Sequence, residues 1–185
     1  MATLTIPDEG REIRDWDEIQ RFLTQQGIRF ERWTAAEPLP PDASPEGVLQ
    51  AYAADVERLK REEGYQACDV ISVGPETPNL DAVRAKFLTE HTHSEDEVRY
   101  FVDGSGLFWF HLADAPVFRV KCEQGDLIAV PKNTPHWFDF GPTPFVKCIR
   151  LFTDPAGWVA NYTGSGIDAR YNPSYGTPVG SAAGA

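Results

Sequence analysis

The chain has 185 residues, a length that suits one domain with a sizeable buried core. Its formal net charge is −11, and such an acidic surface repels phosphate groups, so we expect neither nucleic acid nor a membrane as a partner. No apolar run approaches the ~20 residues of a transmembrane helix, and the first residues lack the basic start and apolar core of a signal peptide. We therefore expect a cytoplasmic protein, and we expect it to act as a monomer.

The first third of the chain alternates predicted strands with predicted helices. Residues 1–6 and 28–34 alternate apolar and polar side chains, as strands do. Residues 15–26 have the spacing of an amphipathic helix. A longer helix is predicted from Ser44, a good N-cap that is followed by proline, to Gly64. Its apolar stripe consists of Leu49, Tyr52, Val56 and Leu59.

From about residue 68 the pattern changes to short strands separated by turns. Turn residues recur every 8 to 12 positions, which is typical of an all-β sandwich or barrel. A short helix is predicted around Trp158 to Tyr162, and residues 164–185, rich in Gly, Ser, Ala and Pro, are predicted to be a poorly ordered tail. The fold class is therefore mainly β, with an α-containing N-terminal part. The predicted strands cover residues 68–73, 97–104, 106–112, 116–123, 126–131, 136–140 and 145–152.

The cysteines point to a reducing compartment. Cys68, Cys122 and Cys148 are odd in number and too far apart in sequence for a CxxC metal site. At least two of them fall in segments with a strand-like pattern. We interpret all three as reduced thiols of a cytosolic protein that serve as small apolar residues.

The segment HTHSEDE, residues 91–97, carries the most chemical information. Because side chains alternate along a strand, His91, His93 and Glu97 point to one side if the segment is extended. Two imidazoles and a carboxylate on one face suit Fe, Ni, Co, Mn or Zn, and they resemble the facial triad of non-haem iron oxygenases. The alternative interpretation is three polar side chains on a solvated strand face.

A fourth ligand is predicted downstream. The turn Asn133-Thr134-Pro135 follows a predicted strand, and His136 opens the next one. An antiparallel partner strand could bring His136 opposite the first three ligands. The remaining histidine, His111, lies in the sequence FWFHL, where nothing places it near the metal, and we interpret it as a residue of the core or as one that lies behind the ligands.

The spacing of these residues resembles the two sequence motifs of the cupin superfamily. Ala85, Asn133 and Phe140 stand where the general pattern has Gly, Gly and Asn. A narrower resemblance fits better, because EHTHSEDEVRYFVDGSGLF together with VPKNTPHWFD closely resembles the acireductone dioxygenase family of methionine salvage, over roughly residues 15–163. It implies a cupin-type double-stranded β-helix (jelly-roll) barrel, with residues 1–163 as a single cupin domain. The two motifs are His91-x-His93-x3-Glu97-x6-Gly104 and Gly125-x5-Pro131-x4-His136.

The resemblance implies a dioxygenase with one divalent metal per chain, held by the four ligands. It implies Fe²⁺ or Ni²⁺ as the cofactor, with Co²⁺ or Mn²⁺ as alternatives, and acireductone and dioxygen as substrates. With Fe²⁺ the family produces formate and 2-oxo-4-methylthiobutanoate, the methionine precursor. With Ni²⁺ or Co²⁺ it produces carbon monoxide, formate and 3-methylthiopropanoate. Both forms use the same ligands, so the sequence does not show which metal this chain carries.

Charge counting predicts a cation beside the metal. The implied substrate binds as an enediolate dianion, whereas a divalent ion with one carboxylate ligand has a net charge of about +1. Arg99 follows Glu97 by two residues and shares its strand parity, so we expect it to face the same site and to lower the pKa of the enediol. The resemblance assigns this role to Arg99 as well. The alternative is an arginine that merely pairs with a core carboxylate.

The resemblance and the strand parity also suggest residues next to the ligands and in the substrate pocket. The resemblance implies that Glu90 contributes to metal incorporation and that Asp96 transmits conformational change, and the alternative for both is a solvated surface carboxylate. An apolar pocket must hold the methylthio arm of the substrate. The candidates for that pocket are Phe87 and Phe138, which share the strand parity of nearby ligands, with Trp158 and, as an electrostatic closure, Arg150.

Two other functions remain open on the sequence. Another cupin dioxygenase, acting on a flavonol, thiol or β-diketone, would keep the ligands but lack the EDEVRYFVDG context that includes Arg99. A non-catalytic cupin that binds a metal or small ligand, or a structural module, would not need four ligands and an inward arginine. Oxygen uptake with acireductone distinguishes these functions.

Overall fold

The computed structural model of the chain describes residues 1–36, 38–154 and 159–171, which form eleven strands and five α-helices. The strands are β1 (Thr3–Ile6), β2 (Arg11–Ile13), β3 (Arg29–Arg32), β4 (Ala67–Val73), β5 (His91–Thr92), β6 (Glu97–Phe110), β7 (Phe118–Glu123), β8 (Asp126–Val130), β9 (His136–Asp139), β10 (Phe145–Phe152) and β11 (Asn161–Tyr162). The helices are α1 (Trp16–Gln25), α2 (Pro45–Ala51), α3 (Ala53–Glu63), α4 (Leu80–Leu88) and α5 (Ile167–Tyr171).

The 14-residue strand β6 joins the two halves of a barrel. Up to Ser105 it pairs with β8 and β10, and from Ser105 onward it pairs with β7 and β9. Strands β3 and β4 extend the first sheet, and β1, β2, β5 and β11 extend the second. Phe101, Cys148, Phe108 and Phe138, which come from both sheets, meet in one buried core cluster. The fold is the mainly antiparallel, cupin-type barrel that the sequence resemblance implied.

Alternation along β6 separates the inside of the barrel from its outside. Val98, Tyr100 and Val102 belong to a second core cluster, which the residues of α2 and α3 cover from outside. Arg99 and Phe101, between them, belong to the interior. Both faces of this strand are therefore buried, and this explains why its sequence reads as a nearly continuous apolar run.

The predicted helix from Ser44 to Gly64 is two helices, so the prediction of one helix was wrong. Ser44 caps α2 as predicted, and Gly64 ends α3 in the left-handed conformation. The chain leaves the helical conformation at Tyr52. There the carbonyl group of Ala51 accepts a hydrogen bond from the backbone N–H of Ala36 in the preceding loop, which draws this turn away from a regular helix.

Sequence patterns missed two elements and misjudged a boundary between strands. Helix α4 has a weak apolar stripe, so its sequence lacks the clear periodicity that predicts a helix, although Asn79 is a favourable N-cap residue. The three-residue strand β2 follows a short turn of 3-10 helix and is too short to show alternation. The two predicted strands on either side of Ser105 are the single strand β6.

The end of the described chain also differs from expectation. Asn161 and Tyr162 form β11, so the helix predicted around Trp158 to Tyr162 is wrong for these two residues, while Trp158 lies outside the described residues. Helix α5 lies within the segment predicted as a poorly ordered tail, so that prediction began too early. The rest of the predicted tail, residues 172–185, lies outside the described residues.

The three cysteines are free thiols, as the sequence predicted, and Cys122 and Cys148 are fully buried. Burial raises the pKa of the Cys148 thiol to about 12, so it stays protonated and behaves as a small apolar residue. Among the helices of the described residues, none combines the length and the apolar character needed to cross a bilayer.

Gly104 is the position on which the continuity of β6 depends most directly. Its φ is +74°, and a Cβ atom there would overlap the carbonyl oxygen of Phe145. We predict that Gly104→Ala lowers the free energy of unfolding by roughly 3 kcal/mol, because backbone strain and overlap add. The matched control is Gly64→Ala, which has a φ of +81° in open space and should cost roughly 1 kcal/mol. Urea unfolding measures both free energies. Equal losses in the two variants would contradict the claim that the contact between Gly104 and the Phe145 carbonyl is what makes Gly104 necessary.

Candidate metal centre

Four buried side chains converge inside the barrel near the end of the second sheet. One ligand atom each from His91, His93, Glu97 and His136 lies within 4.8 Å of every other. At least three elements supply them, since His91 lies in β5, Glu97 opens β6 and His136 opens β9. All four residues are buried. The sequence predicted this set, and the structure brings it together.

The route to this convergence differs from the predicted extended segment. Strand β5 ends at Thr92, and the chain bends at Ser94 and Glu95 before β6 begins. The assumption that one strand carries His91 and Glu97 was therefore wrong. Direct pairing of His91 with His136 across β5 and β9 confirms the predicted antiparallel approach.

The turn before His136 explains one departure from the general cupin pattern. Asn133 has a φ of +61°, in the left-handed region that Gly and Asn tolerate best. Its backbone N–H donates to the carbonyl oxygen of His93 at 2.8 Å. Asn133 can thus replace glycine here, and the turn it forms is tied directly to a ligand residue.

Backbone carbonyl groups fix the orientation of all three imidazoles. The Nδ1 atoms of His91, His136 and His93 lie 2.7, 2.8 and 3.1 Å from the carbonyl oxygens of Thr89, Thr134 and Val159, respectively. A carbonyl oxygen can only accept, so each Nδ1 carries the proton. The second nitrogen, Nε2, is then the one available to a metal.

Glu97 is the electrostatic centre of the site. Its Oε2 lies 3.0 Å from Nε2 of His93 and 2.9 Å from Nε2 of His136. Its Oε1 accepts a hydrogen bond from Nε of Arg99 at 2.6 Å. Burial by itself would raise the pKa of Glu97, but the charge of Arg99 and the contacts with the imidazoles of His136 and His93 outweigh burial and hold that pKa well below its usual range. Glu97 is therefore an anion, as a metal ligand must be.

The imidazoles, like Glu97, are suited to binding a metal. Burial, together with the nearby His136, lowers the pKa of His91 to about 4, so this ring is neutral at pH 7. Burial also acts to lower the pKa of His93, but its contact with Glu97 outweighs burial and raises that pKa. A proton on His93 would be displaced when a metal binds. Three neutral imidazole nitrogens and one carboxylate oxygen fit a divalent transition metal.

Arg99 lies inside the barrel beside the ligands, as predicted. It is 1% exposed, and two aromatic rings flank its guanidinium group. The guanidinium carbon lies 5.4 Å from the centre of the Phe87 ring and 5.3 Å from the centre of the Phe138 ring. Phe87 reaches this position from helix α4, so the strand parity assumed for it was wrong, although the ring lies next to the site.

Arg150 lies on the same inner face, one strand further from the ligands. It is paired directly with Arg99 across β10 and β6, and residues paired in this way point to the same side of a sheet. Its Nε and Nη2 atoms donate to the two carboxylate oxygens of Asp69 at 2.8 and 2.5 Å. Arg150 therefore forms a half-buried ion pair near the site. Trp158, the fourth predicted pocket residue, lies outside the described residues.

Glu90 is not the surface carboxylate that one interpretation expected, since it is 2% exposed. It accepts hydrogen bonds from the hydroxyl groups of Thr163 and Ser165 and, at 2.8 Å, from Nδ1 of His111. Burial acts to raise the pKa of Glu90, but these donors outweigh burial and lower it. His111 is thus neither a ligand nor a core residue: its side chain is 40% exposed and it lies behind the ligand strand.

Asp96 connects the ligand segment to two other parts of the chain. Its carboxylate accepts a hydrogen bond from the Tyr65 hydroxyl at 3.1 Å and one from the backbone N–H of Lys132 at 2.9 Å. Tyr65 follows α3, and Lys132 lies in the turn before β9. The contacts of Asp96 give it a structural role that the sequence could not show.

A cavity of about 840 Å³ lies elsewhere, between the Pro-rich loop and the outer face of the barrel. Trp33, Tyr52 and Tyr100 line it, and none of the four ligands does. This cavity and the metal ligands are therefore separate parts of the molecule.

The sequence profile of the ARD/ARD' family matches residues 8–160. The chain belongs to that family. An acireductone dioxygenase of Methylococcus capsulatus is 52% identical over an alignment of 176 positions, which covers 92% of this chain and 94% of that protein. An acireductone dioxygenase of Marinobacter nauticus is 48% identical over an alignment of 188 positions, which covers 98% of this chain and 100% of that protein.

A solved structure gives the same fold. Acireductone dioxygenase from Bacillus anthracis, with a cadmium ion in its active centre, superposes with a TM-score of 0.82 and 34% identity. The match covers 88% of this chain and 98% of that one. Membership of the family agrees with the resemblance that the ligand motifs indicated.

Several residues that surround the ligands carry no signal in the sequence. Val159, Thr163 and Ser165 lie far from the ligands in sequence, and their contacts use a backbone carbonyl and small hydroxyl groups that carry no spacing signal. The burial of Glu90, immediately before His91, was the one feature that a strand pattern could have suggested.

Two histidines provide a matched test of the ligand set. We predict that His136→Ala weakens metal binding by more than about 100-fold, beyond the 10–100-fold loss typical of residues behind ligands. His111→Ala should still retain close to one metal ion per chain, because His111 contacts Glu90 and not the ligand atoms. Metal analysis after dialysis measures both. Retention of metal by the His136 variant would show that the assignment is wrong.

Proposed function

We propose that this chain is a metal-dependent acireductone dioxygenase that cleaves 1,2-dihydroxy-3-keto-5-methylthiopentene with dioxygen in methionine salvage. The observation that carries the proposal is the buried cluster of three inward Nε2 atoms and Glu97, with Arg99 bonded to that carboxylate. Family membership and relatives named for this activity support it.

His91, His93, Glu97 and His136 would hold the metal, which we propose to be Fe²⁺ or Ni²⁺, with Co²⁺ or Mn²⁺ as alternatives. The carbonyl-bonded imidazoles leave Nε2 of each histidine available as a donor, and this supports a divalent transition metal of that kind. When bound, the ion supplies Lewis-acid polarisation and a template for a chelating substrate. If the ion takes six ligands, these four residues would leave two positions for the two oxygens of an enediolate.

We assign to Arg99 the role of balancing the negative charge of the bound substrate. The negative charge of Glu97 and the positive charge of Arg99 cancel, so a divalent ion leaves two positive charges, and an enediolate dianion balances them. A buried site makes such a balance important, since unpaired charge there is costly. The guanidinium would lower the pKa of the enediol and keep the bound substrate deprotonated.

Phe87 and Phe138 supply an apolar environment for the methylthio arm. Both rings lie against the guanidinium of Arg99, and this supports a methylthio arm that would lie on apolar surface beside the charged groups. Arg150 shares this inner face and is the second cation we assign to the substrate site, with Trp158 as a further wall. The aromatic rings would also exclude water from the reacting carbons.

Two acidic residues, each immediately before a ligand in sequence, would assist the metal centre without binding the metal. We propose that Glu90 contributes to metal incorporation, since it immediately precedes His91 and is buried among hydroxyl and imidazole donors. We propose that Asp96 transmits conformational change, since it precedes Glu97 and contacts both Tyr65 and the turn at Lys132.

The surroundings we propose for the enzyme follow from its surface and thiols. Three free thiols support a reducing compartment such as the cytoplasm. A net charge of −11 supports small-molecule substrates rather than nucleic acid or membranes as partners. We propose that the chain acts as a monomer, with residues 1–163 as its single cupin domain, and sedimentation analysis would test this.

The function is tested most simply by oxygen uptake. The Fe²⁺-loaded protein should consume dioxygen when acireductone is added, and the same protein treated with a chelator should not. Absence of uptake by the fully metal-loaded chain would overturn the proposed activity.

The products should follow the metal. We predict that the Fe²⁺-loaded protein yields formate and 2-oxo-4-methylthiobutanoate, whereas the Ni²⁺-loaded protein yields carbon monoxide, formate and 3-methylthiopropanoate. One ligand set holds either ion, so the same preparation can be stripped and reloaded. Chromatography of the acids and gas analysis measure the outcome. An identical product set from both forms would contradict this part of the proposal.

Arg99→Met removes the charge of Arg99 while keeping a long side chain. We predict that kcat/KM falls on the order of 100-fold, the usual loss when a preorganised donor to a developing anion is removed. Arg99→Lys restores the charge and should recover part of this loss. Because the substrate must then ionise without Arg99, the pH profile of the Met variant should shift to higher pH. Loss of the metal from the Met variant, rather than of turnover, would show that Arg99 is structural.

A further inference from the structure

The described residues 159–171, which we call the strap, cross the outside of the metal centre and contact it at several points. Strand β11 in the strap pairs with β5, with Tyr162 opposite His91. The backbone N–H of Thr163 donates to the carbonyl oxygen of Glu90 at 3.2 Å. The strap therefore adds a strand next to the one that carries a ligand.

One imidazole depends on the strap for its orientation. The carbonyl groups that bond to Nδ1 of His91 and His136 belong to Thr89 and Thr134, each two residues before its histidine. The carbonyl group that bonds to Nδ1 of His93 belongs to Val159, 66 residues away. His91 and His136 are thus oriented locally, whereas His93 is oriented by a distant segment.

A cluster of hydrogen bonds holds the strap at its middle. Oε1 of Glu90 accepts from the hydroxyl groups of Thr163 and Ser165, the latter at 2.7 Å. Hydrogen bonds to a charged acceptor are stronger than those to a neutral one. Glu90 is buried and lies next to His91, so these two hydroxyl groups anchor the strap directly behind a ligand.

The far end of the strap is held separately. Ile167 and Tyr171 of α5 pack on the stacked pair Trp109 and Trp137, whose ring centres are 5.5 Å apart. The hydroxyl group of Tyr171 also donates to Asp8 at 2.7 Å. Trp137 follows the ligand His136 directly in β9. Both ends of the strap therefore contact strands that carry a ligand, β5 at one end and β9 at the other.

We propose that Thr163 and Ser165 are positioning residues that hold the strap closed, so that the Val159 carbonyl keeps Nε2 of His93 aimed at the metal. The strap then controls how fast the metal leaves the site. When the hydroxyl groups are removed, Glu90 must find other donors, and water supplies them only if the strap opens. Opening frees the imidazole of His93 to rotate. This inference rests on the four-ligand metal site and not on the proposed reaction, so either can fail alone.

The test compares two double variants. The first combines Thr163→Val and Ser165→Ala and lacks both hydroxyl groups. The second combines Thr163→Ser and Ser165→Thr and keeps both. Tyr162→Phe is the control, because it removes a strap hydroxyl that contacts Lys86 and not Glu90. Each protein is loaded with Ni²⁺, and the rate of Ni²⁺ transfer to an excess of a chromophoric chelator is measured. Hydrogen–deuterium exchange of peptides spanning residues 159–165 is measured on the same samples.

The variant without hydroxyl groups should release Ni²⁺ about tenfold faster, in the range found for groups that orient ligands. The amides of residues 159–165 should exchange faster in that variant, while the hydroxyl-retaining variant and the Tyr162 control should stay within about twofold of the parent chain. Unchanged release with faster exchange would overturn the proposal, as would faster release with unchanged exchange.

A second variant keeps the test decisive if the first does not fold. Tyr171→Ala loosens the strap from its far end, without altering Glu90 or its hydroxyl donors. It should raise Ni²⁺ release and strap exchange together, by a smaller factor. Release unchanged in this variant, with its strap amides exchanging faster, would also overturn the proposal.

Discussion

Three hydrogen bonds to backbone carbonyl groups determine the chemistry of this centre. A carbonyl oxygen accepts from Nδ1 of each ligand histidine, so Nε2 is the nitrogen left for a metal, and Nε2 of His93 and of His136 lies against the carboxylate of Glu97. Without these bonds, each ring could present either nitrogen or rotate away. The metal site is therefore prepared by the backbone before any ion arrives, and Glu97 and Arg99 hold its charge in balance meanwhile.

The barrel makes this polar site tolerable within an apolar interior. Strand β6 places Glu97 and Arg99 on its inner face and Val98 and Tyr100 on its outer face. Helices α2 and α3 cover that outer face, so the strand is buried on both sides and its register is fixed. A shift of one residue would turn the carboxylate and the guanidinium toward those helices and remove both from the metal centre.

Sequence patterns predicted what depends on local spacing. The inward Arg99 and the antiparallel approach of His136 follow from alternation and turn chemistry, and the structure contains both. The ligand set was predicted correctly, although a bend at Ser94 and Glu95, and not one extended strand, brings Glu97 to the histidines. Asn133, which departs from the usual glycine, fits because its left-handed conformation suits asparagine too.

What the patterns could not predict depends on distant contacts. Phe87 reaches the site from α4, a helix with only a weak apolar stripe, and not from the strand that its parity suggested. The break between α2 and α3 comes from a hydrogen bond between Ala36 and Ala51. The burial of Glu90 requires hydroxyl groups more than 70 residues away, at Thr163 and Ser165.

The central claim is that three Nε2 atoms and a carboxylate oxygen bind one metal ion. Anomalous diffraction from crystals of the Ni²⁺-loaded protein, recorded at the nickel edge, tests it directly. The account predicts one strong peak per chain, in bonding contact with Nε2 of His91, His93 and His136 and with an oxygen of Glu97. A peak bonded through Nδ1, or located away from these four residues, would contradict it.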